Sequence, residues 1–88
     1  MKYRKKPVVI EAIKFTRDNF EEIKIFTNGK ACNFKTEKHI GGKSYCEIET
    51  LECYITATEG DYIIKGVQGE FYPCNPDIFE ATYDEVEE

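Results

Sequence analysis

The stretch that decides the fold is residues 45–65, YCEIETLECYITATEGDYIIK, in which small or apolar residues alternate with polar ones. Successive side chains of a strand point to opposite faces of a sheet, so this period of two predicts half-buried antiparallel strands over 45–50 and 53–58. The two strands join near Leu51 and Glu52, and turn residues at 59–61 lead into a further strand over 62–65. The side chains expected to face the core are Cys46, Ile48, Cys53, Ile55 and Ala57.

Two reversals of direction are predicted after residue 65. The glycines in the segment 66–69 indicate a hairpin turn into a short strand over 70–72. Asn75 followed by Pro76 has the pattern of a helix N-cap with proline at the first helical position, which predicts one helical turn over 76–79. Residues 80–86 are expected to close the sheet as a last, partly exposed strand.

The chain before residue 45 has the pattern of a strand, a helix and a second strand. Pro7 precedes a β-branched run that predicts a strand over 8–15. Asp18 with Glu21 three residues later resembles a capping box, so a helix is expected over about 18–27, with Gly29 at its C-terminal stop. A strand over 31–36 and a loop over 37–43 follow. The helix stripe of Phe20, Ile23 and Phe26 is expected to pack in the core.

These elements predict a small α+β fold with the order β-α-β-β-β-β-β. We expect an antiparallel sheet of about five to six strands with one short helix packed on it. The chain has 88 residues, which fits a single domain over 1–88. A chain of this length has room for one modest core, and a deep cavity between two domains is excluded.

The composition narrows the classes of partner. Acidic residues number 17 against 12 basic ones, for a net charge of −5, and this balance argues against general nucleic-acid binding. No apolar run approaches the ~20 residues of a membrane span, and no signal-peptide core follows the basic start. We therefore expect a cytosolic protein that does not bind membranes.

The charges of the two ends are opposite in sign. Residues 1–14 carry five basic groups and one acid, whereas residues 77–88 carry six acids and no base. The favoured interpretation is that the ends lie near each other and their fields partly cancel. The alternative is that the acidic tail is an interaction surface.

The four cysteines are predicted to be free thiols, because no secretion signal accompanies them. Structural zinc is the alternative, since Cys32, His39, Cys46 and Cys53 recur every seven residues. Zinc sites usually use close pairs of ligands, however, and the chain has no C-x-x-C. Packing of the cysteines, Cys74 included, as small apolar side chains is therefore favoured, and no metal is expected.

No other motif predicts catalysis or a cofactor. Gly66 and Gly69 lie between two strands, where they indicate a turn rather than a phosphate loop. His39 is expected in a solvated loop. Glu47 and Glu49 share one face of a strand, as is normal for a water-facing side. We therefore expect a protein that is not an enzyme and that holds no cofactor.

Residues 59–79 concentrate turn residues and aromatic side chains. The structural interpretation is that Tyr62, Phe71, Tyr72 and Phe79 complete the core. The functional interpretation is a rigid aromatic ledge for a protein partner, because tyrosine supplies contact area at a low entropy cost. The partner-binding residues that we predict are Tyr62, Phe71 and Tyr72 of the ledge, with Asp84 and Glu85 of the acidic tail.

Four segments toward the two ends of the chain carry a resemblance: MKYRKKPVVIEA at 1–12, GDYIIKG at 60–66, GEFYPC at 69–74 and PDIFEATY at 76–83. They cover about half the chain and resemble a family of small tailed-phage and prophage proteins. The family commonly has a glycine in the Thr-Leu-Glu-Gly turn where Cys53 stands here. The resemblance implies a phage or prophage origin and a location in the host cytoplasm, and it transfers no catalytic residue.

Three hypotheses of function follow from these observations. The first is a phage-encoded accessory protein without enzymatic activity that binds a host or phage protein. The alternative is a protein that sequesters a small molecule or nucleotide in a pocket at a homodimer interface, with anion contacts from residues 2–6 or from Lys65. The third is an acidic mimic of DNA, which is weaker because lysines are interspersed among the acids.

Overall fold

A computed structural model describes residues 1–4, 8–39 and 41–86 and confirms the α+β class. Strands predominate over helices, and every strand pairing is antiparallel. The elements of the described part of the chain are β1 (Glu11–Lys14), α1 (Phe20–Phe26), β2 (Ala31–Thr36), β3 (Ser44–Glu49), β4 (Tyr54–Thr58), β5 (Tyr62–Lys65), β6 (Phe71–Cys74) and α2 (Pro76–Thr82).

The strands form two three-stranded sheets, in the orders β1-β5-β6 and β2-β3-β4, with β4 lying alongside β6. The expected strand number is therefore correct, while the single sheet is replaced by two. The turn after β4 explains the division. Its Gly60 N–H donates to the Phe15 carbonyl at 2.8 Å, and the Phe15 N–H donates to the Asp61 carbonyl at 2.8 Å. These bonds fix the chain beside the end of β1, so β5 pairs with β1 instead of β4.

The main core lies between the sheets and α1. As predicted, Ile23 is buried, and Phe20 and Phe26 pack against the core from the same helix. The residue that follows β1 and five of the strands supply the remaining members of the buried cluster, which are Phe15, Ala31, Cys46, Ile48, Ala57, Ile63 and Phe71.

The alternation predicted for the central strands is confirmed in β3 and only partly in β4. Cys46 and Ile48 of β3 are fully buried, and so is Ala57 of β4. Cys53 and Ile55, however, are exposed, against the prediction. The reason is that β4 is an edge strand that is buried only toward its C-terminal end, while its first three residues are exposed.

The start of α1 differs from the predicted capping box. The N-cap is Asn19 rather than Asp18, and the Asn19 side chain makes no capping bond. It instead accepts a hydrogen bond from the Thr16 N–H at 2.8 Å and donates to the Lys14 carbonyl at 2.7 Å. The side chain therefore links the end of β1 to the helix. The strand predicted over 8–15 is shorter, since β1 begins at Glu11, and Pro7 lies outside the described residues.

The C-terminal end of α1 is a Schellman motif, in agreement with the stop predicted at Gly29. The Gly29 N–H donates to the Lys24 carbonyl at 2.9 Å, and the Asn28 N–H donates to the Ile25 carbonyl at 3.1 Å. Asn28 has a φ of 55°, which asparagine tolerates better than most residues. The chain then turns directly into β2.

The last strand predicted over 80–86 is wrong. Asn75 caps α2 as expected, since its side chain accepts a hydrogen bond from the Asp77 N–H at 2.9 Å. The helix then continues to Thr82 instead of ending after one turn. Phe79 and Tyr83 are four residues apart and pack against each other, with ring centroids 5.0 Å apart. This aromatic pair stabilises the helical arrangement over the extended one.

The turn after β4 also gives the protein a pH-dependent contact. Glu59 Oε1 accepts from the Ser44 N–H at 3.0 Å and lies 3.3 Å from the Arg17 guanidinium. The hydrogen bond from Ser44, assisted by Arg17, lowers the pKa of Glu59 below 4.5. A lowered carboxyl pKa in the folded state contributes stability above the unfolded-state pKa, and this contribution is lost as the pH falls through the folded-state value.

We therefore expect Glu59→Gln to destabilise the fold at neutral pH and to make its stability less sensitive to acid. Urea unfolding should be measured between about pH 3 and pH 7, the range in which a glutamate titrates. The difference in unfolding free energy between wild type and variant should shrink toward the acidic end. Glu52→Gln in an exposed turn is the control and should track the wild type. A constant difference at all pH values would contradict the account.

The thiols differ in burial, which predicts an order of reactivity. Cys46 is fully buried, and its burial, with a smaller effect of nearby Cys32, raises its pKa to about 12. Cys53 is exposed, and Cys32 and Cys74 are half-buried. Alkylation of the native protein, followed by mass mapping, should modify Cys53 first. Cys46 should react about 100-fold or more slowly, because it needs unfolding to form the thiolate. Equal rates at the two positions would show that the core is open.

Candidate functional site

The described residues form an open groove of about 940 Å³. Three parts of the chain line it: residues 8–12 before and within β1, Tyr62 with residues 65–67 at the ends of β5, and the end of α2 with residues 83–86 after it. The N-terminal and C-terminal parts thus lie near each other, as predicted. Lys5 and Lys6, which carry part of the basic charge in that prediction, lie outside the described residues.

The floor of the groove belongs to the face of sheet β1-β5-β6 that points away from the main core. The strand register places Ile64 between Ala12 and Tyr72 on this face. Ile64 is 1% exposed, yet it is not a member of the main core cluster. Its neighbour Ile63 points into that cluster. The central strand β5 therefore has buried apolar side chains on both faces, and α2 covers the second face.

An aromatic stack holds α2 on the sheet. The Phe79 ring lies on the Tyr62 ring with centroids 4.0 Å apart and planes at 11°. Tyr83 packs on Phe79 and shares a hydrogen bond with the Tyr72 hydroxyl. Burial, followed by the contacts with Tyr83, raises the pKa of Tyr72, so its hydroxyl is neutral at physiological pH. These contacts join both tyrosines of the sheet to the helix and fix one wall of the groove.

The groove combines exposed apolar side chains with acidic ones. Val9 is 76% exposed and Val67 is 71% exposed, and both line the groove together with Val8 and Val86. Its charged lining residues are Glu11, Lys65, Glu80, Asp84 and Glu85.

The charge balance of the groove is negative. The Lys65 ammonium lies 4.0 Å from a Glu11 carboxylate oxygen, so these two opposite charges largely offset each other. Glu80, Asp84 and Glu85 remain as an acidic border beside the apolar lining.

The predicted partner-binding residues are only partly brought together. Tyr62, Asp84 and Glu85 line the groove, and Tyr72 is connected to it through Tyr83. Phe71 is 3% exposed and belongs to the main core on the opposite face of the sheet. The ledge of Tyr62, Phe71 and Tyr72 is therefore not a single surface, because Phe71 and Tyr72 are consecutive residues of one strand.

The sequence-based interpretation missed the valines of the groove. Val8 and Val9 belonged to a predicted strand, and Val67 to a turn. Their positions could have indicated exposure. All of them are apolar residues beyond the ends of strands or near the end of the chain, where the core does not cover them. The valines come together only because the fold brings three distant segments of the chain side by side, and no local sequence pattern indicates this.

The described residues contain no group of three or more His, Cys, Asp or Glu side chains placed to hold a metal ion. Of the residues in the zinc alternative, Cys46 is buried in the core and Cys53 is exposed just before β4. His39 Nε2 lies 3.2 Å from a Glu37 carboxylate oxygen in the exposed loop. Glu47 accepts a hydrogen bond from the Asn33 amide at 2.7 Å.

Neither helix in the described residues has the length and apolar character needed to cross a membrane. Comparisons of the chain with protein-family models, with curated proteins and with solved structures found no match.

Proposed function

We propose that this chain is a non-enzymatic protein-binding module, a small phage-encoded accessory protein that acts on a host or phage protein in the host cytoplasm. The observation that carries the proposal is the groove, in which exposed valines lie beside an acidic border on a wall held by stacked aromatic rings. Apolar contact area with a polar rim is the usual composition of a protein interface. The phage origin rests on the resemblance of both ends of the chain.

The chemistry of the groove favours one kind of partner segment. The valines offer contacts to apolar side chains, and Glu80, Asp84 and Glu85 favour positive charge near them. Lys65 adds little positive potential because Glu11 lies beside it. The expected partner therefore presents a short apolar segment flanked by lysine or arginine.

The same charges disfavour the alternative of a sequestered nucleotide. An anionic ligand requires cationic or N–H donors in excess of carboxylates, whereas carboxylates outnumber lysines among the groove residues. The groove is also open to solvent, whereas small-molecule sites usually enclose most of their ligand. The protein-binding hypothesis accounts for both properties.

Short fluorescent peptides test the proposal. Three sets with the same apolar centre should be compared by fluorescence anisotropy, one flanked by Lys and Arg, one by Ser and one by Glu. We expect the basic set to bind most tightly, with an affinity that falls as salt is added. Equal affinity of the basic and acidic sets would contradict the proposal.

A matched pair of variants locates the binding site. Val9 in the groove and Ile25 on α1 are each 76% exposed, so neither supports the core. Val9→Ser should weaken binding of the basic peptides about tenfold, the effect of losing roughly 1.4 kcal/mol of contact. Ile25→Ser should leave the affinity unchanged. Equal losses in both variants would place the binding outside the groove.

A further inference from the structure

The outer edge of β4 differs from the other sheet edges in having no protection against pairing. Residues 53–58, CYITAT, contain no charged side chain and no proline. Tyr54 is 56% exposed and Ile55 is 38% exposed, and the neighbouring Leu51 is fully exposed. A strand edge with these properties is a template for another strand.

Backbone groups on this edge are available for pairing. The Glu59 N–H donates to the Ser44 carbonyl, and the Thr50 N–H donates to the Cys53 carbonyl, so odd-numbered residues of β4 bond to β3. Backbone groups of successive strand residues point alternately toward and away from the neighbouring strand, so the N–H and C=O groups of Tyr54 and Thr56 point away from β3. The Thr58 N–H donates to the Asp61 carboxylate, and the Thr58 carbonyl accepts from the Asp61 N–H. Among the described residues, no group bonds to the outward backbone groups of Tyr54 and Thr56.

The other three edges each carry a protective feature. Pro73 removes a donor from the edge strand β6. Edge strand β2 has a bulge between Cys32 and Lys35, with a lysine beside it. Edge strand β1 has a charged residue at each end, and its Lys14 carbonyl accepts a hydrogen bond from Asn19. The contrast makes β4 the one unprotected edge within the described part of the chain.

We propose that β4 pairs antiparallel with β4 of a second copy of this chain, about a two-fold axis at Ile55. In this register Tyr54 lies opposite the partner's Thr56, and Thr56 lies opposite the partner's Tyr54. The outward N–H and C=O groups of the two residues then form four reciprocal hydrogen bonds. Ile55 lies opposite its own copy in a non-hydrogen-bonded position, where side chains approach most closely.

A second copy fits this edge for two reasons. Only uncharged side chains meet in the pairing, so the net charge of −5 on each chain adds no direct like-charge contact. Burial in β4 is confined to its last two residues, Ala57 and Thr58, and the first three residues of the strand are exposed. In a symmetric pairing, the same three residues of each chain form both sides of the contact. The edge contains none of the groove residues, so each groove stays open in the dimer.

Disulfide trapping tests the register directly. In a Cys53→Ser background, Ile55→Cys places two thiols opposite each other, within the Cα separation of about 4.4–6.8 Å that a disulfide needs. Mild oxidation by oxidised glutathione should yield a covalent dimer. The control Thr56→Cys places its thiols two residues out of register, with Cα atoms about 8 Å apart, and should not cross-link. Circular dichroism checks that both variants fold.

Sedimentation analysis of the unmodified chain supplies the second readout. We expect a concentration-dependent dimer that Ile55→Lys converts to a monomer without loss of the folded spectrum. A chain that stays monomeric up to about 1 mM, the weak end of measurable association, would overturn the proposal. So would equal cross-linking of the Ile55→Cys and Thr56→Cys variants.

Discussion

Replacement of Phe15 by alanine is expected to lower the free energy of unfolding by about 3–5 kcal/mol. Phe15 is completely buried, and its ring makes edge-to-face contacts with Phe20 and Phe34, each at a centroid distance of 5.9 Å. Its backbone also bonds to the turn that directs β5 to β1. Native domains have a total stability of about 5–15 kcal/mol, so this loss is a large fraction of the total.

Urea unfolding followed by circular dichroism measures this effect. The control is Phe15→Leu, which retains much of the volume and should cost about 1.5 kcal/mol or less. A loss below about 1 kcal/mol for the alanine variant would show that Phe15 does not occupy the centre of a packed core.

Replacement of Ile64 by alanine is expected to cost about 2–5 kcal/mol, although Ile64 lies outside the main core. The side chain is 1% exposed on the sheet face that α2 covers. Its truncation leaves a cavity beneath the helix that holds the groove wall. The loss should therefore appear in the unfolding free energy and in faster amide exchange within α2.

The control for this variant uses the same chemical change at an exposed position. Ile25 on α1 is 76% exposed, so Ile25→Ala should change the unfolding free energy by at most about 0.5 kcal/mol. Equal effects at Ile64 and Ile25 would mean that α2 does not pack on the sheet and that the groove lacks a stable wall.

Local patterns predicted most of the elements. Alternation in β3, the Asn75 cap before Pro76 and the stop at Gly29 depend on neighbours in the sequence, and all three are observed. The division into two sheets was not predictable this way. A period of two is the same whether a strand continues one sheet or starts another, and the bond from Gly60 to Phe15 joins residues far apart in the chain.

The sequence also indicates that both faces of the β1-β5-β6 sheet are covered, although this was not predicted. Ile63 and Ile64 are consecutive, so a strand containing both must bury apolar side chains on opposite faces. That requirement indicates a covering element after β6, and the helical spacing of Phe79 and Tyr83 identifies it. The same period of two separates Phe71 from Tyr72. The proposed ledge could have been divided on sequence grounds alone.

The proposed function places a protein partner in the groove, and site-specific photocross-linking tests this proposal most directly. A photoreactive amino acid should be placed at Val67 in the groove, which is 71% exposed, and separately at Ile25 on α1, which is 76% exposed. Bacterial cells that produce each protein are then irradiated, and cross-linked proteins are identified by mass spectrometry. The account predicts one dominant partner at Val67 that is absent at Ile25 and whose purified form binds the wild type more tightly than Val9→Ser. The same cross-linked proteins at both positions would contradict it.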